Sequence, residues 1–480
     1  MSSIKLEKIT DYLWEIPKEG KMRVPGRIYA SQKMLKAIRS DNAPEQVSNV
    51  AYLPGIVNYS LAMPDIHWGY GFSIGGVAAF DLDEGIISPG GVGYDINCGV
   101  RLIRTSLDRA AIRDNIRAMI DQLFRSIPTG VGSKGSLKVS HAELKQVMVK
   151  GARWAVEHGY GDVTDLKYIE ENGEMHGADP STVSDRAIER GMPQLGTLGS
   201  GNHFVEIQYV DKIYDREGAT AFGLTEDQVT LTIHTGSRGF GYQICDDSIK
   251  KMLRASEKYN IFLPDRQLCC APIRSPEGKE YLAAMACAIN YAFANRQVIS
   301  YWAGEALEKA LGLKKQTLKL ELVYEVAHNI AKQETHLVAG KPTELLVHRK
   351  GATRAFGTDS SAVPDRYRAI GQPVLIPGDM GRYSYVLAGT DGAMSDTFGS
   401  TCHGAGRLMS RHRAIDAARG RSIYRELEDI GIYVRSTGRQ TMAEEMPEAY
   451  KDVSDVVEAV AEAGISKKIA RLKPLGAIKG

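Results

Sequence analysis

The amino-acid sequence predicts an α+β fold built as one large domain over residues 1–480, with a mixed or antiparallel β-sheet core surrounded by helices. Three observations predict it. Strand-like and helix-like runs are interspersed without a regular βα repeat, which disfavours a barrel or a doubly wound sheet. No stretch is long or biased enough to serve as an interdomain linker, and there is no internal repeat, low-complexity tract or heptad run. A hydrophobic content of 43% with 25% charged residues is ordinary for a globular protein and sufficient for a sizeable core.

Helical periodicity, with apolar residues at three- and four-residue steps, marks 106–127 (SLDRAAIRDNIRAMIDQLFRSI), 279–311 (KEYLAAMACAINYAFANRQVISYWAGEALEKAL) and 406–431 (GRLMSRHRAIDAARGRSIYRELEDIG). Strands are expected at 75–82 (GGVAAFDL), 99–107 (GVRLIRTSL), 203–210 (HFVEIQYV), 229–236 (VTLTIHTG), 320–329 (LELVYEVAHN) and 345–356 (LLVHRKGATRAF). Gly, Pro, Ser and charge clusters mark surface loops at 127–140, 171–185 and 263–281.

Charge excludes little. Lys plus Arg nearly balances Asp plus Glu, for a net charge of +2, so a nucleic-acid partner would have to be met by a local basic patch. The first twenty residues, MSSIKLEKITDYLWEIPKEG, carry no apolar signal-peptide core, and no run of about 18 apolar residues occurs, so a cytoplasmic protein without membrane contact is expected. The six cysteines (98, 245, 269, 270, 287 and 402) show no CxxC spacing, which argues against a zinc ribbon and against a disulfide framework. Cysteine chemistry should therefore rest on single residues.

Three β-rich runs each carry a histidine beside small or amide residues: GSGNHF has His203, TLTIHTGSRG has His234 and VYEVAHNIA has His328. Histidines at strand ends sit where loops gather, and neutral imidazole is the commonest metal ligand. In GGVGYDINCGVR, glycines let the backbone turn sharply around Asp95 and Cys98, three residues apart. One carboxylate, one thiolate and three imidazoles would form a metal site, and five ligands are more than one catalytic metal with an open position takes, so a dinuclear centre is expected. Sulfur's softness points to zinc or iron, because manganese prefers oxygen. The alternative is that Cys98 is a small buried hydrophobe and Asp95 a turn residue.

A second constellation is STCHGAGRLMSRHR, where His403 precedes two glycines and the expected start of an arginine-rich helix. Backbone N–H groups there can face an anion, and a histidine held against a phosphate is a candidate nucleophile. The competing reading is a helix cap with an incidental histidine. Cys402 is a weaker candidate, since neighbouring side chains on an extended backbone diverge. There is no GxxxxGK[ST] loop, and GTLGSGNHF does not open a helix as a dinucleotide fingerprint would. Two other stretches suit oxyanions: VHRKGATRAFG, with Arg349, Lys350 and Arg354, and HTGSRG with Arg238.

Taken together, MPDIHWGYGFSIGG, GGVGYDINCGVR, LGTLGSGNHFVE, HTGSRG, AHN, VHRKGATRA, CHGAGR and RLKPLGAIKG stand in the order found in the RtcB family of RNA ligases, which the chain closely resembles over nearly its whole length. The extended N-terminal region is more similar to archaeal and eukaryotic members than to bacterial ones. The resemblance implies a central metal and nucleotide cleft and a ligase dependent on GTP and Mn²⁺. Its reaction would join an RNA 3′-phosphate or 2′,3′-cyclic phosphate to a 5′-hydroxyl, as in tRNA splicing and RNA repair. By that likeness Cys98 bridges two manganese ions, with Asp95 and His203 completing one site and His234 and His328 the other; the family takes precedence over softness in the choice of metal.

His403 matches the family nucleophile, which attacks the GTP α-phosphorus, and Asp65 matches an active-site aspartate whose role spacing does not fix. Guanosine contacts implied by the resemblance fall on Asn202, His203, Phe204, Val205, Glu206, His328, Asn329, Pro377, Gly378, Asp379, Met380 and Ser384, and on His403, Gly404, Ala405, Gly406, Tyr450 and Lys479. Glu206 can accept from the guanine N1 and N2 donors that adenine lacks. Arg190, Arg238, Lys350 and Arg411 match phosphate-binding positions for RNA ends. The implied partners are tRNA exon halves and an archease-type activator, acting on a monomer. A dinuclear metallophosphoesterase and a noncatalytic RNA-binding module are the rivals; the first would form no guanylyl adduct, and the second would need no metal.

Overall fold

In the computed structural model, which describes residues 4–480, two large sheets carry most of the strands, and one long buried helix packs among other helices beside the eight-stranded sheet. The elements that position the site are, in chain order, strands β1 (Ser60–His67), β2 (Ile74–Asp81) and β3 (Gly99–Asp108), helix α1 (Asp185–Gly191), strands β4 (Phe204–Ile213) and β5 (Gln228–Thr235), and helices α2 (Arg238–Lys258) and α3 (Pro276–Leu311). Strands β6 (Glu321–Ala327), β7 (Asn329–Val338), β8 (Lys341–Lys350), β9 (Ser384–Gly389), β10 (Ser400–Cys402) and β11 (Ser466–Lys479) follow. One seven-stranded sheet runs through three N-terminal strands to β1, β2, β8 and β7. The eight-stranded sheet runs β6, β3, β5, β4, β11, β9 and Pro373–Ile376, with Tyr433–Ser436 beside β11.

Most strand pairs are antiparallel, but Gly26–Tyr29 with β1 and Tyr433–Ser436 with β11 are parallel, so the core is the mixed α+β arrangement expected. Each expected strand overlaps an observed one, with ends differing by a residue or so, but 320–329 ends at Ala327 before a new strand starts at Asn329, and 345–356 breaks at Gly351 into Lys341–Lys350 and Ala352–Arg354, which lie in different sheets. Two expected helices are shorter than their periodicity suggested. The strand runs on to Asp108, which pairs with Gln228 beyond a register shift, and after a short turn the main helix begins only at Ile116. The 406–431 stretch breaks into Arg411–Ala417 and Ile423–Asp429, with Gly420 at φ +78° between them. The 263–281 loop contains a short strand at Ala271–Pro272 and the first turn of α3.

Helix α3 starts where the Ser275 side chain accepts from Gly278 N–H with Pro276 at the first position, and stops at left-handed Gly312. From Ala284 to Ile299 it is buried all round, so it is the central post of the core rather than a surface helix. Among the described residues, no helix is long and apolar enough to cross a membrane.

Strand register brings one end of the eight-stranded sheet to the site. Ala327 of β6 pairs with Gly99 of β3, Gly99 pairs with Thr235 of β5, His234 pairs with Phe204 of β4, and Phe204 pairs with Lys479 of β11. Five adjacent strands therefore present His328, Cys98, His234, His203 and Lys479 along a single edge. His328 also lies between β6 and β7, the point where the chain leaves one sheet and enters the other.

Candidate active site

The turn that delivers Asp95 and Cys98 is pinned from several directions. Cys98 N–H donates to the Asp95 carbonyl at 3.0 Å, with Asn97 at φ +54° between them, and Asn329 Nδ2 donates to that same carbonyl at 3.0 Å. His328 N–H donates to the Cys98 carbonyl at 2.7 Å, fixing two expected ligands relative to one another. Below them, buried Arg296 of α3 donates to the carbonyls of Asn97 at 2.8 Å and Thr235 at 2.7 Å and pairs with Glu325 at 2.7 Å. One guanidinium thus clamps the turn before Cys98 to the end of the His234 strand. A Cβ on Gly236 would fall 2.5 Å from the Asp95 carboxylate, so the backbone can approach only as glycine.

Cys98 Sγ lies 3.3 Å from His234 Nε2 and 3.5 Å from His203 Nε2, and His203 Nε2 lies 2.9 Å from Asp95 Oδ2. The donor atoms of Asp95, Cys98 and His203 all fall within 4.8 Å of one another. His234 and His328 continue the row, with ring centroids 5.6 Å apart. His328 Nδ1 is engaged by Thr353 Oγ1 at 2.9 Å, while its buried Nε2 has no hydrogen-bond partner among the described residues. Burial and neighbouring imidazoles hold the His234 pKa well below the ordinary value; burial, then His403 and Arg296, do the same for His328. Both rings are therefore neutral lone-pair donors. Burial, then Asp95, pushes the Cys98 thiol up, so a cation is needed to draw out its proton. Burial raises Asp95, but His203 and Arg238 outweigh it and leave the carboxylate ionised. Two neutral imidazoles, a carboxylate and a masked thiolate are a donor set that fits divalent metal.

Strand β10 ends at Cys402, which is fully buried and aimed away from the cleft, and His403 follows. His403 Nδ1 lies 2.5 Å from Asp65 Oδ2, which also accepts the His403 and Gly404 N–H groups. Burial raises Asp65, but His403 and Lys451 bring it below the usual carboxylate range. In the neutral ring, an ionised Asp65 selects the tautomer with the proton on Nδ1 and the lone pair on Nε2. The His403 ring sits 5.3 Å from that of His328, so nucleophile and donor row share one cleft. The expected helix N-terminus is displaced: Arg411 begins that helix eight residues on, and Gly404–Ser410 forms a loop held by Arg407.

The cleft is lined by Asn202, Phe204, Glu206, Asn329, Pro377–Met380, Gly404–Gly406, Arg411, Tyr450 and Lys479. Glu206 accepts from Gln208 Nε2 at 2.5 Å, and burial lifts its carboxyl to about 8. Three expected contacts do not reach the lining. His203 turns to Asp95 and Cys98. Strand alternation turns Val205 into the core, and Ser384 stands behind Gln208, accepting from it at 3.0 Å.

The expected phosphate-binding residues divide. Arg411 lines the cleft, and Arg238 stands beside the donors, donating to Thr197 Oγ1 at 3.0 Å. Arg190 lies farther out on α1, bonded to Gln243. Lys350 is buried and donates to the Tyr70 and Gly90 carbonyls. Arg349 and Arg354, read as oxyanion holders, instead form internal ion pairs with Glu334 and Glu171 and do not face the cleft. Sequence reading missed His67, Arg407 and Glu445 in the lining, and Lys451 behind it. Lys451 Nζ donates to the Pro64 and Ile66 carbonyls at 3.1 and 2.5 Å, fixing the backbone on both sides of Asp65. Glu445 accepts from Arg407 at 3.0 Å, Lys479 at 3.4 Å and the Tyr450 hydroxyl. His67 lies inside the MPDIHWG motif and Arg407 inside CHGAGR, but no local pattern signals Glu445 or Lys451.

Fold and cleft together define an α+β enzyme that sets an oriented histidine beside a Cys/His/Asp donor cluster. The sequence model of the RtcB family, described as tRNA-splicing ligase RtcB, matches residues 46–480. The chain is 57% identical to the tRNA-splicing ligase RtcB of Archaeoglobus fulgidus and 53% identical to that of Thermococcus kodakarensis, each over 99% of both chains. It is 51% identical to the RNA-splicing ligase RtcB of Mycobacterium tuberculosis over 91% of this chain and all of that one. The chain belongs to the RtcB family and is a ligase.

Proposed function

We propose that this ligase seals RNA, joining a 3′-phosphate or 2′,3′-cyclic phosphate end to a 5′-hydroxyl with GTP as co-substrate, as in tRNA splicing. The observation that carries the reading is the placement of Asp65-held His403 in the same cleft as the donor row and Glu206. His403 Nε2 attacks the GTP α-phosphorus, the bond to pyrophosphate breaks, and a guanylyl-histidine forms. A cyclic end is first opened by water to the 3′-phosphate. That phosphate takes GMP from His403, and the 5′-hydroxyl then displaces GMP to close the phosphodiester.

Glu206 accepts from guanine N1 and N2, with Gln208 and Ser384 fixing its orientation behind the cleft wall. Asn202, Phe204, Asn329, Pro377–Met380, Gly404–Gly406, Tyr450 and Lys479 enclose the nucleoside and its phosphates. Arg238 and Arg411 flank the donor row, where RNA phosphates must arrive, and Arg190 extends that path. Lys350, tied to two carbonyls, acts on RNA only after leaving them. Two Mn²⁺ ions, one held by Asp95, Cys98 and His203 and the other by Cys98, His234 and His328, would supply Lewis-acid neutralisation of phosphate charge.

Incubation with GTP labelled at the α-phosphate tests the reading. Label should stay on the protein as an acid-labile, base-stable adduct, absent in His403→Ala. A wild-type protein that hydrolyses phosphate esters without retaining label would instead be a phosphoesterase.

A further inference from the structure

An aromatic row leads from the donor loop to solvent. Tyr94, next to Asp95, meets Tyr70 edge-on with centroids 5.5 Å apart and stacks on Tyr242 at 4.8 Å with 25° between planes. The Arg190 guanidinium lies 5.1 Å from the Tyr242 ring centre. Tyr242 is 46% exposed as a residue, and a flat group that takes the place of Arg190 over the ring frees that guanidinium for a phosphate.

Tyr242 lies four residues after Arg238 at the start of α2, Arg238 itself at φ +57°, and Arg190 packs against Gly239 between them. Arg238 in turn reaches the donor cluster: a Cβ on Gly199 would collide with both Arg238 Nη1 and His203 Nδ1. Moving outward from His203, the start of α2 therefore offers a cation, then an open aromatic ring with a second cation over it. Proteins hold single strands with that alternation, guanidinium on phosphate and π-face on base, and base stacking needs no particular sequence.

We propose that the nucleobase of a terminal RNA nucleotide stacks on Tyr242 while its phosphate lies between Arg190 and Arg238. The assignment rests on the RNA-sealing reading and adds a base-seating position to it. It predicts discrimination by the presence of a base, with little preference for which base.

Anisotropy of labelled RNA measures binding whether or not joining follows, so failure of the stacking position and failure of the sealing reading give different results. Strands carry either a 3′-phosphate or a 5′-hydroxyl, with an intact or an abasic terminal nucleotide. Tyr242→Ala should weaken binding about tenfold, while Tyr242→Phe stays within about twofold of wild type. Removing the terminal base should weaken wild-type binding by a similar factor and cost nothing further in Tyr242→Ala; the end showing this non-additivity is the one seated on the ring. Guanylylation by Tyr242→Ala at the wild-type rate reports an intact fold. Unchanged binding by Tyr242→Ala, or full additivity with base removal at both ends, overturns the proposal. Should Tyr242→Ala not fold, equal binding of intact and abasic strands by the wild type overturns it as well.

Discussion

Asp65 Oδ2 lies 2.5 Å from His403 Nδ1 and accepts the His403 N–H at 3.0 Å and the Gly404 N–H at 3.3 Å. One carboxylate oxygen therefore fixes the position of the backbone, the ring orientation and the tautomer. In Asp65→Asn the amide oxygen can still accept at this position, but the negative charge that stabilises the ring as it becomes cationic on attack is lost. The guanylylation rate should fall by about 10³- to 10⁴-fold, with GTP affinity changed only a few-fold. Single-turnover adduct formation and equilibrium GTP binding measure the two separately. An Asp65→Asn protein that guanylylates at the wild-type rate would remove the orienting role.

Glu206 sets a pH dependence. Burial places its folded pKa at about 8 against 4.5 for an ordinary glutamate, so between these values the folded chain keeps a proton that the unfolded chain releases. Its contribution to stability accordingly falls as pH rises from 4.5 to 8. GTP recognition runs the other way, because the proton must leave before the carboxylate accepts from N1 and N2. GTP affinity should rise about tenfold per pH unit up to about 8. Glu206→Gln should flatten that slope and narrow the preference for GTP over ATP. Calorimetric titration from pH 6 to 8 provides the check, and a wild-type affinity independent of pH would contradict it.

Cys98 stands within 3.5 Å of two histidines, and it is the donor shared by both halves of the row. Cys98→Ala should lose both manganese ions and all adduct formation, while keeping the fold, because a small buried side chain is replaced by a smaller one. Metal content after Mn²⁺ loading and desalting, together with circular dichroism, tests this. Full metal content in the variant would refute the bridging role.

Arg296 ties the site to the core. It is fully buried, paired with Glu325, and satisfies the Asn97 and Thr235 carbonyls. Arg296→Leu leaves Glu325 facing only Arg101 and strands both carbonyls, which should cost about 3–5 kcal/mol. Thermal unfolding should show a large drop in Tm, and metal affinity should fall with it because the Cys98 turn loosens. An unchanged Tm would mean that the clamp contributes nothing.

The sequence made some of this legible and hid the rest for identifiable reasons. Cys98, His203, His234 and His328 are readable because each sits beside a small or amide residue at a strand terminus, although Cys98 and His203 stand before their strands and not at the end of one. The α3 helix was readable from its length and apolar content. Arg349 and Arg354 were misread because their carboxylate partners are set by the fold: Glu334 comes from the neighbouring hairpin strand through its register, and Glu171 from a distant segment. Lys451 and Arg296 act through backbone carbonyls, which exist at every residue and leave no trace in side-chain spacing. The break at Gly420 was legible in principle, since a lone glycine in a polar run offers a left-handed stop, but the surrounding periodicity masked it.

The most direct measurement is peptide mass mapping after incubation with GTP and Mn²⁺. The account predicts the mass of one guanylate on the peptide carrying His403 and nowhere else, lost on acid treatment. A guanylate on any other residue, or none on His403 under conditions where RNA ends are joined, would contradict it.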